Sequence, residues 1–183
     1  VPLDGLRLSN QGGRWLRYRQ EGEFIITSAR RDDGNLRIYR IPLDGTSPAV
    51  AITPDDFSLA THGHVFSPDG RQIVVRPTTG APVAFTADGE GPQPLAGVLP
   101  TDLPVGLDRD GRHLYVQETQ AIPSPIYRVD LVTGVRELHA ELSPGDPAGV
   151  AAIDRVRISD DGEAYVYSIR RIISDLKVVD GLQ

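Results

Sequence analysis

The sequence predicts an all-β chain, a β-propeller built of four-stranded antiparallel blades, with about four blades in its 183 residues. Two repeats carry that reading. The first is a strand, a tight turn and a strand, plainest in residues 64–75, HVFSPDGRQIVV. Aligned on the turn glycine, residues 17–26 read RYRQEGEFII, 65–74 VFSPDGRQIV, 106–115 GLDRDGRHLY and 157–166 RISDDGEAYV. The shared glycines, Gly22, Gly70, Gly111 and Gly162, lie 48, 41 and 51 residues apart. Asp bonds its own backbone and Gly accepts positive φ, so an acid followed by Gly makes a tight turn. Apolar alternation on either side makes that turn a hairpin.

The second repeat is a strand that ends in Gly: LRIYRIPLDG (36–45), PVAFTADG (82–89), PIYRVDLVTG (125–134) and DLKVVDG (175–181). The opening VPLDG copies IPLDG at 41–45. Gly5, Gly45, Gly89, Gly134 and Gly181 are 40, 44, 45 and 47 residues apart, so two separate markers share one period. Four short strands in such a period are the mark of a propeller blade.

Strands a to d can be assigned from the central channel outward. Blade one, about 11–54, has a near 15–19, b near 23–29, c near 36–42 and d near 49–53. Blade two, about 61–99, has them near 64–67, 72–76, 83–86 and 93–98. Blade three, about 103–141, has them near 105–108, 113–118, 126–131 and 135–140. Blade four, about 153–183, has a near 155–159, b near 164–169 and c near 176–179, with residues 6–9 expected as its closing outer strand. The long d-to-a links, 53–63, 99–103 and 142–153, carry Pro or Gly and read as loops. The phase of the two termini fits a closed four-bladed ring. It fits equally a part of a larger propeller, completed by a second copy in a homodimer or by preceding sequence. With no Met anywhere, Val1 is not expected to be a translation start.

Composition bounds the function. Hydrophobic residues are 39% and charged residues 24%, a globular balance. The net charge of −6, with Lys177 the sole lysine, argues against duplex nucleic acid, which needs clustered basic residues. No Cys is present, which excludes disulfides and Cys-based zinc sites and leaves the compartment open between cytoplasm and an extracytoplasmic space. No run approaches the roughly 18 apolar residues of a membrane-spanning helix, so no membrane contact is expected from this segment. No Gly-Xaa-Ser-Xaa-Gly elbow supports a hydrolase nucleophile. Asp88-Gly-Glu-Gly91 precedes a Pro-rich strand, not a helix, and so is not a phosphate cradle. The Asp-Gly carboxylates come one per hairpin, unlike a calcium loop.

Two groups remain as candidates. His62 and His64 flank one Gly, and on a strand both would share a face and could chelate zinc or copper, with Asp55 or Asp56 as a third ligand. The plainer reading is a loop entering strand a with His64 near the channel, and no cofactor is expected. Arginines follow strand b: Arg30 and Arg31 in blade one, Arg76 in blade two, Arg170 and Arg171 in blade four. Loops b–c and d–a share one face of a propeller, so these five would form a ligand-binding face able to fork onto carboxylate or phosphate. The opposite face collects Glu21, Asp44, Asp69, Asp88, Asp110, Asp160, Asp161 and Asp180. The alternative is that the arginines pair with Asp32, Asp33 and Asp175 as solvated ion pairs.

SPDGRQIVV resembles the TolB-type and WD-repeat-like propeller repeats of bacteria, whose pattern is close to F-S-P-D-G-[KR]-x-[IL]-x-[FVY]. Residues 66–75 match it well, 107–116 moderately, and 17–26 and 158–167 weakly. The end, YVYSIRRIISDLKVVDGL, is similar to the C-terminus of propeller regions in bacterial multidomain proteins, some linked to serine/threonine kinases. The resemblance implies the propeller fold over the whole chain and fixes no role, because such repeats host many. With no catalytic motif in the chain, the function expected is a non-catalytic scaffold that binds a protein or peptide within a larger bacterial protein. The alternatives are the sensor propeller of a kinase, the gating propeller of a peptidase, and a propeller enzyme such as a lactonase or lyase. No catalytic motif is present, and Asp108 and Asp154 join His64 as the polar residues expected near the channel mouth.

Overall fold

A computed structural model describes residues 6–8, 17–18, 24–31, 36–54, 59–118 and 121–174. Within them every regular element is a strand and every pairing is antiparallel. Blade one holds β1 (Leu6–Leu8), β2 (Arg17–Tyr18), β3 (Phe24–Arg31), β4 (Arg37–Pro42) and β5 (Val50–Ala51). Blade two is the sheet β6 (Leu59–Phe66), β7 (Gln72–Pro77), β8 (Val83–Thr86) and β9 (Gln93–Pro94), in that order. Blade three is β10 (Asp102–Leu107), β11 (His113–Glu118), β12 (Ser124–Asp130) and β13 (Arg136–Leu142), again in order. Blade four shows β14 (Val150–Ile158) paired with β15 (Tyr165–Arg171); its expected c strand lies outside the described residues.

The continuous apolar run Ile73-Val74-Val75 shows why the blades stack. A sheet buried on both faces needs no polar alternation. Ile73 and Val75 join Phe24, Ile26, Ile38 and Ile52 of blade one in one cluster. Val74, between them, points the other way and joins Leu107, Leu114 and Val116 of blade three. A third cluster packs Tyr115 and Ile126 of blade three against Ile153 and Val156 of blade four. Burying each such aliphatic side chain contributes about 1.5–3 kcal/mol.

Polar ties reinforce the seam between blades two and three. The Asp102 carboxylate, 1% exposed, accepts two bonds from Arg136, Nη1 to Oδ2 at 2.6 Å and Nη2 to Oδ1 at 3.1 Å. It also accepts the Leu99 backbone N–H at 2.7 Å. Arg136 donates further to the Gly97 carbonyl at 2.9 Å and lies 4.9 Å above the Tyr127 ring.

Residues 6–8 pair with β3 in blade one, Leu6 opposite Arg31 and Leu8 opposite Ala29; the c strand of blade four that they were expected to close lies outside the described residues. The two-residue β2 covers only Ile25 and Ile26 on that edge of the eight-residue β3, and β1 covers Ala29 to Arg31. An edge left bare would expose unpaired backbone groups. Ser9 lies outside the described residues. The links 53–63, 99–103 and 142–153 are shorter as loops than expected, because β6 starts at Leu59, β10 at Asp102 and β14 at Val150. Conversely, the d strand of blade two is only Gln93–Pro94, where Pro cannot extend a ladder.

Candidate functional site

The inner strands β6, β10 and β14 converge on one crevice of about 220 Å³. Val65, Phe66, Pro68, Val105, Leu107 and Ile158 give it an apolar wall, and His64, Arg157 and Asp160 give it polar groups. His64 and Phe66 are two residues apart on β6 and share a face, their rings edge to face with centroids 6.2 Å apart.

Irregular pairing on each inner strand shapes this hollow. In β10 the register slips between Pro104 and Gly106. Gly106 then permits a close approach, since a Cβ there would meet Ile158 Cγ2 at 2.3 Å. In β14 the register slips between Asp154 and Arg157, where Arg155 holds a left-handed φ of 55°. β6 is irregular between Leu59 and His64. A bulge leaves a residue unpaired and re-aims its neighbours, and bulges gather beside functional sites.

Arg157 is the cation of the crevice. It donates from Nη1 to the Val156 carbonyl at 2.7 Å, and burial pushes its pKa down from the usual guanidinium value. Asp160 is engaged by Arg109, which donates to its Oδ2 from Nε at 3.2 Å and to its backbone carbonyl at 3.1 Å.

Beside the crevice, the hairpin of blade three differs from its repeats. In blade two Ser67 Oγ donates to Asp69 at 2.5 Å and accepts from the Gln72 N–H at 2.9 Å. In blade four Ser159 does the same with Asp161 and Ala164. Blade three carries Asp108 there. Its carboxylate accepts the His113 N–H at 3.0 Å and lies 2.6 Å from His113 Nδ1. His113 Nε2 faces Asp130 Oδ2 at 3.8 Å, and Arg112 and Arg128 complete the group.

Of the arginines expected on one face, the side chains of Arg76, Arg170 and Arg171 are described. Arg170 Nε is 3.5 Å from Asp154 Oδ2 on its own blade. Arg171 straps the link from blade three, donating to the Ala148 and Asp146 carbonyls at 2.6 Å each and lying 3.3 Å from the Asp146 carboxylate. Arg76 is half-buried in β7. The side chains of Arg30, Arg31 and His62, and all of Asp32, Asp33, Asp55, Asp56 and Asp175, lie outside the described residues. No group of three metal-ligating side chains occurs among the described residues. Of the carboxylates expected on the opposite face, Asp44, Asp69 and Asp161 hold their own turns, Asp88 pairs with Arg40 and Asp160 with Arg109. Reasoning from sequence missed Arg157, whose inward aim depends on the bulge before it.

No family model matches the chain, and no curated protein matches it significantly. Solved structures do. A TolB-type protein of Agrobacterium tumefaciens matches with a TM-score of 0.58 at 16% identity, over 91% of this chain and 64% of its own. The fold is that of TolB-like β-propellers. An oligogalacturonate lyase of Vibrio parahaemolyticus matches with a TM-score of 0.58 at 16% identity, over 91% of this chain and 54% of the lyase. A chain from a nidogen/laminin complex matches with a TM-score of 0.56 at 14% identity, over 84% of this chain and 55% of its own. This chain thus spans less than two thirds of each of the three. No helix among the described residues is long and apolar enough to cross a membrane.

Proposed function

We propose that this chain is a propeller scaffold that binds a protein or peptide, and that the crevice between its inner strands receives the bound segment. The crevice carries the reading: three blades bring an apolar wall and a half-buried cation to one hollow of about 220 Å³. Its volume is below the roughly 300–1,000 Å³ of pockets that enclose a whole small ligand. It suits a side chain or chain end projecting from a larger partner. A chain of like fold solved within a nidogen/laminin complex is consistent with such a role.

The test is selection of random peptides displayed on phage against the whole chain. Binders are expected that lose affinity for Phe66→Ala, at the crevice, and keep it for Val132→Ser, on the 77%-exposed tip of blade three. Binders that ignore Phe66→Ala, or no binders at all, would overturn the reading.

A further inference from the structure

We infer that the outer edge of blade three, strand β13, is a docking edge for a basic strand at the margin of a folded partner's sheet. This surface lies outside the crevice and is independent of the peptide reading above. Blades one and two end in the two-residue strands β5 and β9, and β9 contains Pro94. β13 runs for seven residues and pairs with β12 alone among the described residues. A terminal strand of that length presents backbone groups to which another strand can add. The register says which groups these are. The Asp130 N–H donates to the Val135 carbonyl at 2.9 Å, so the Val135 backbone faces β12. The direction of N–H and C=O alternates along an antiparallel strand, which turns the backbones of Arg136 and Leu138 outward. Beyond Leu138 the register shifts, and the extra residue, His139, turns toward blade four, its Nε2 2.9 Å from the Gly162 carbonyl.

Side chains supply the selectivity. Leu138, 57% exposed, and Glu141 lie opposite Tyr127 and Pro125 and so share one face of the sheet, while Glu137, opposite Arg128, stands on the other. Glu137 and Glu141 are exposed and enter no ion pair among the described residues. Opposite charges on neighbouring strands attract and like charges repel. A strand with Lys or Arg beside both glutamates and an apolar residue beside Leu138 therefore fits. The edge of a second copy brings the same glutamates and does not. The net charge of −6 favours the same basic partner. A linear peptide would have to be ordered along the edge, and two charge pairs with one apolar contact offset little of that cost. A strand already held in a sheet is ordered beforehand.

The experiment titrates the full chain with a head-to-tail cyclised β-hairpin, one strand of which reads Lys-Thr-Val-Lys, antiparallel to residues 137–141. Binding is read by fluorescence polarisation and by amide hydrogen exchange. The hairpin is expected to bind and to protect the amides of Arg136 and Leu138. Glu137→Lys together with Glu141→Lys should weaken it about tenfold, the sum of two cross-strand charge pairs reversed. The same double variant should instead bind a hairpin with Glu in place of Lys, which shows that it is folded. Leu138→Pro removes an outward N–H and leaves the ladder to β12 intact, and should abolish binding. Phe66→Ala, at the crevice, should leave hairpin binding unchanged, so failure of the crevice reading and failure of this one are told apart. Absence of hairpin binding, binding that survives Leu138→Pro, or equal binding of the linear peptide would overturn the inference. Self-association of the chain that Leu138→Pro abolishes would overturn it in favour of a second copy.

Discussion

Strands β11 and β15 hold the same place in their blades, following the same Asp-Gly turn, and meet opposite fates. Leu114, Tyr115, Val116 and Gln117 of β11 are each at most 3% exposed. In β15 Tyr165 is 50% exposed, Val166 66% and Ile169 40%. Composition does not account for this, since YVYSIRR is no less apolar than HLYVQE. Neighbours account for it. Both faces of β11 are packed, Leu114 and Val116 toward blade two and Tyr115 toward blade four. Among the described residues β15 packs one side chain, Tyr167, against the blade-three cluster. In a repeat array the stability of a unit is largely the stability of its interfaces, so equal substitutions in the two blades should have unequal costs.

The largest difference is expected where charge is buried. Arg136→Ala leaves the 1%-exposed Asp102 carboxylate without its cation and should cost about 3–5 kcal/mol in urea unfolding. The matched Arg171→Ala removes a surface pair with Asp146 whose carboxylate is 69% exposed, and should cost at most about 1 kcal/mol. Equal losses would break the comparison. Next in size is the core itself. Leu114→Ala should destabilise by about 2–5 kcal/mol, and Val166→Ala on β15 should stay within about 0.5 kcal/mol of the parent.

Smaller effects sharpen the contrast between turns. Ser159→Ala removes the hydroxyl that serves both Asp161 and the Ala164 N–H, and should cost about 1 kcal/mol. Smallest is the response to acid. Asp161 is held below the usual carboxylate range by the Ser159 hydroxyl, and Asp130 in blade three by the Arg112 guanidinium. Asp44 is lowered to about 2 by the Ser47 side chain and the turn backbone. A carboxylate depressed in the folded state stabilises it fully above its unfolded pKa of about 3.9 and ceases to as pH falls through the folded value. Stability should therefore decline from about pH 4 to about pH 2. Removing Asp130 should make that decline less sensitive to salt, and removing Asp161 should not, since its first stabiliser is a neutral hydroxyl.

The blades were legible in the sequence because their markers are local. Gly70, Gly111 and Gly162 turn at φ of 70°, 70° and 77°, as acid-Gly pairs require, and the run Ile73-Val74-Val75 announces a sheet covered on both faces. What was not legible depends on register and on residues distant in sequence. Nothing in residues 6–8 states that they fill an edge of β3. Arg136 gives no sign of Asp102, 34 positions away. Nor do Arg170 and Arg171 give any sign in the sequence of Asp154 and Asp146, their carboxylate partners. Arg157 reaches the crevice through a bulge that no hydrophobic pattern marks.

The central claim is that the crevice between the inner strands is where a partner binds, and photo-crosslinking tests it most directly. A benzophenone amino acid is placed at Pro68, on the crevice lining, and in a second protein at Val132, on the exposed tip of blade three. Each is irradiated with a phage-selected peptide bound. The account predicts crosslinks from position 68 that an excess of unlabelled peptide abolishes, and none from position 132. Crosslinks from position 132, with none from position 68, would contradict it.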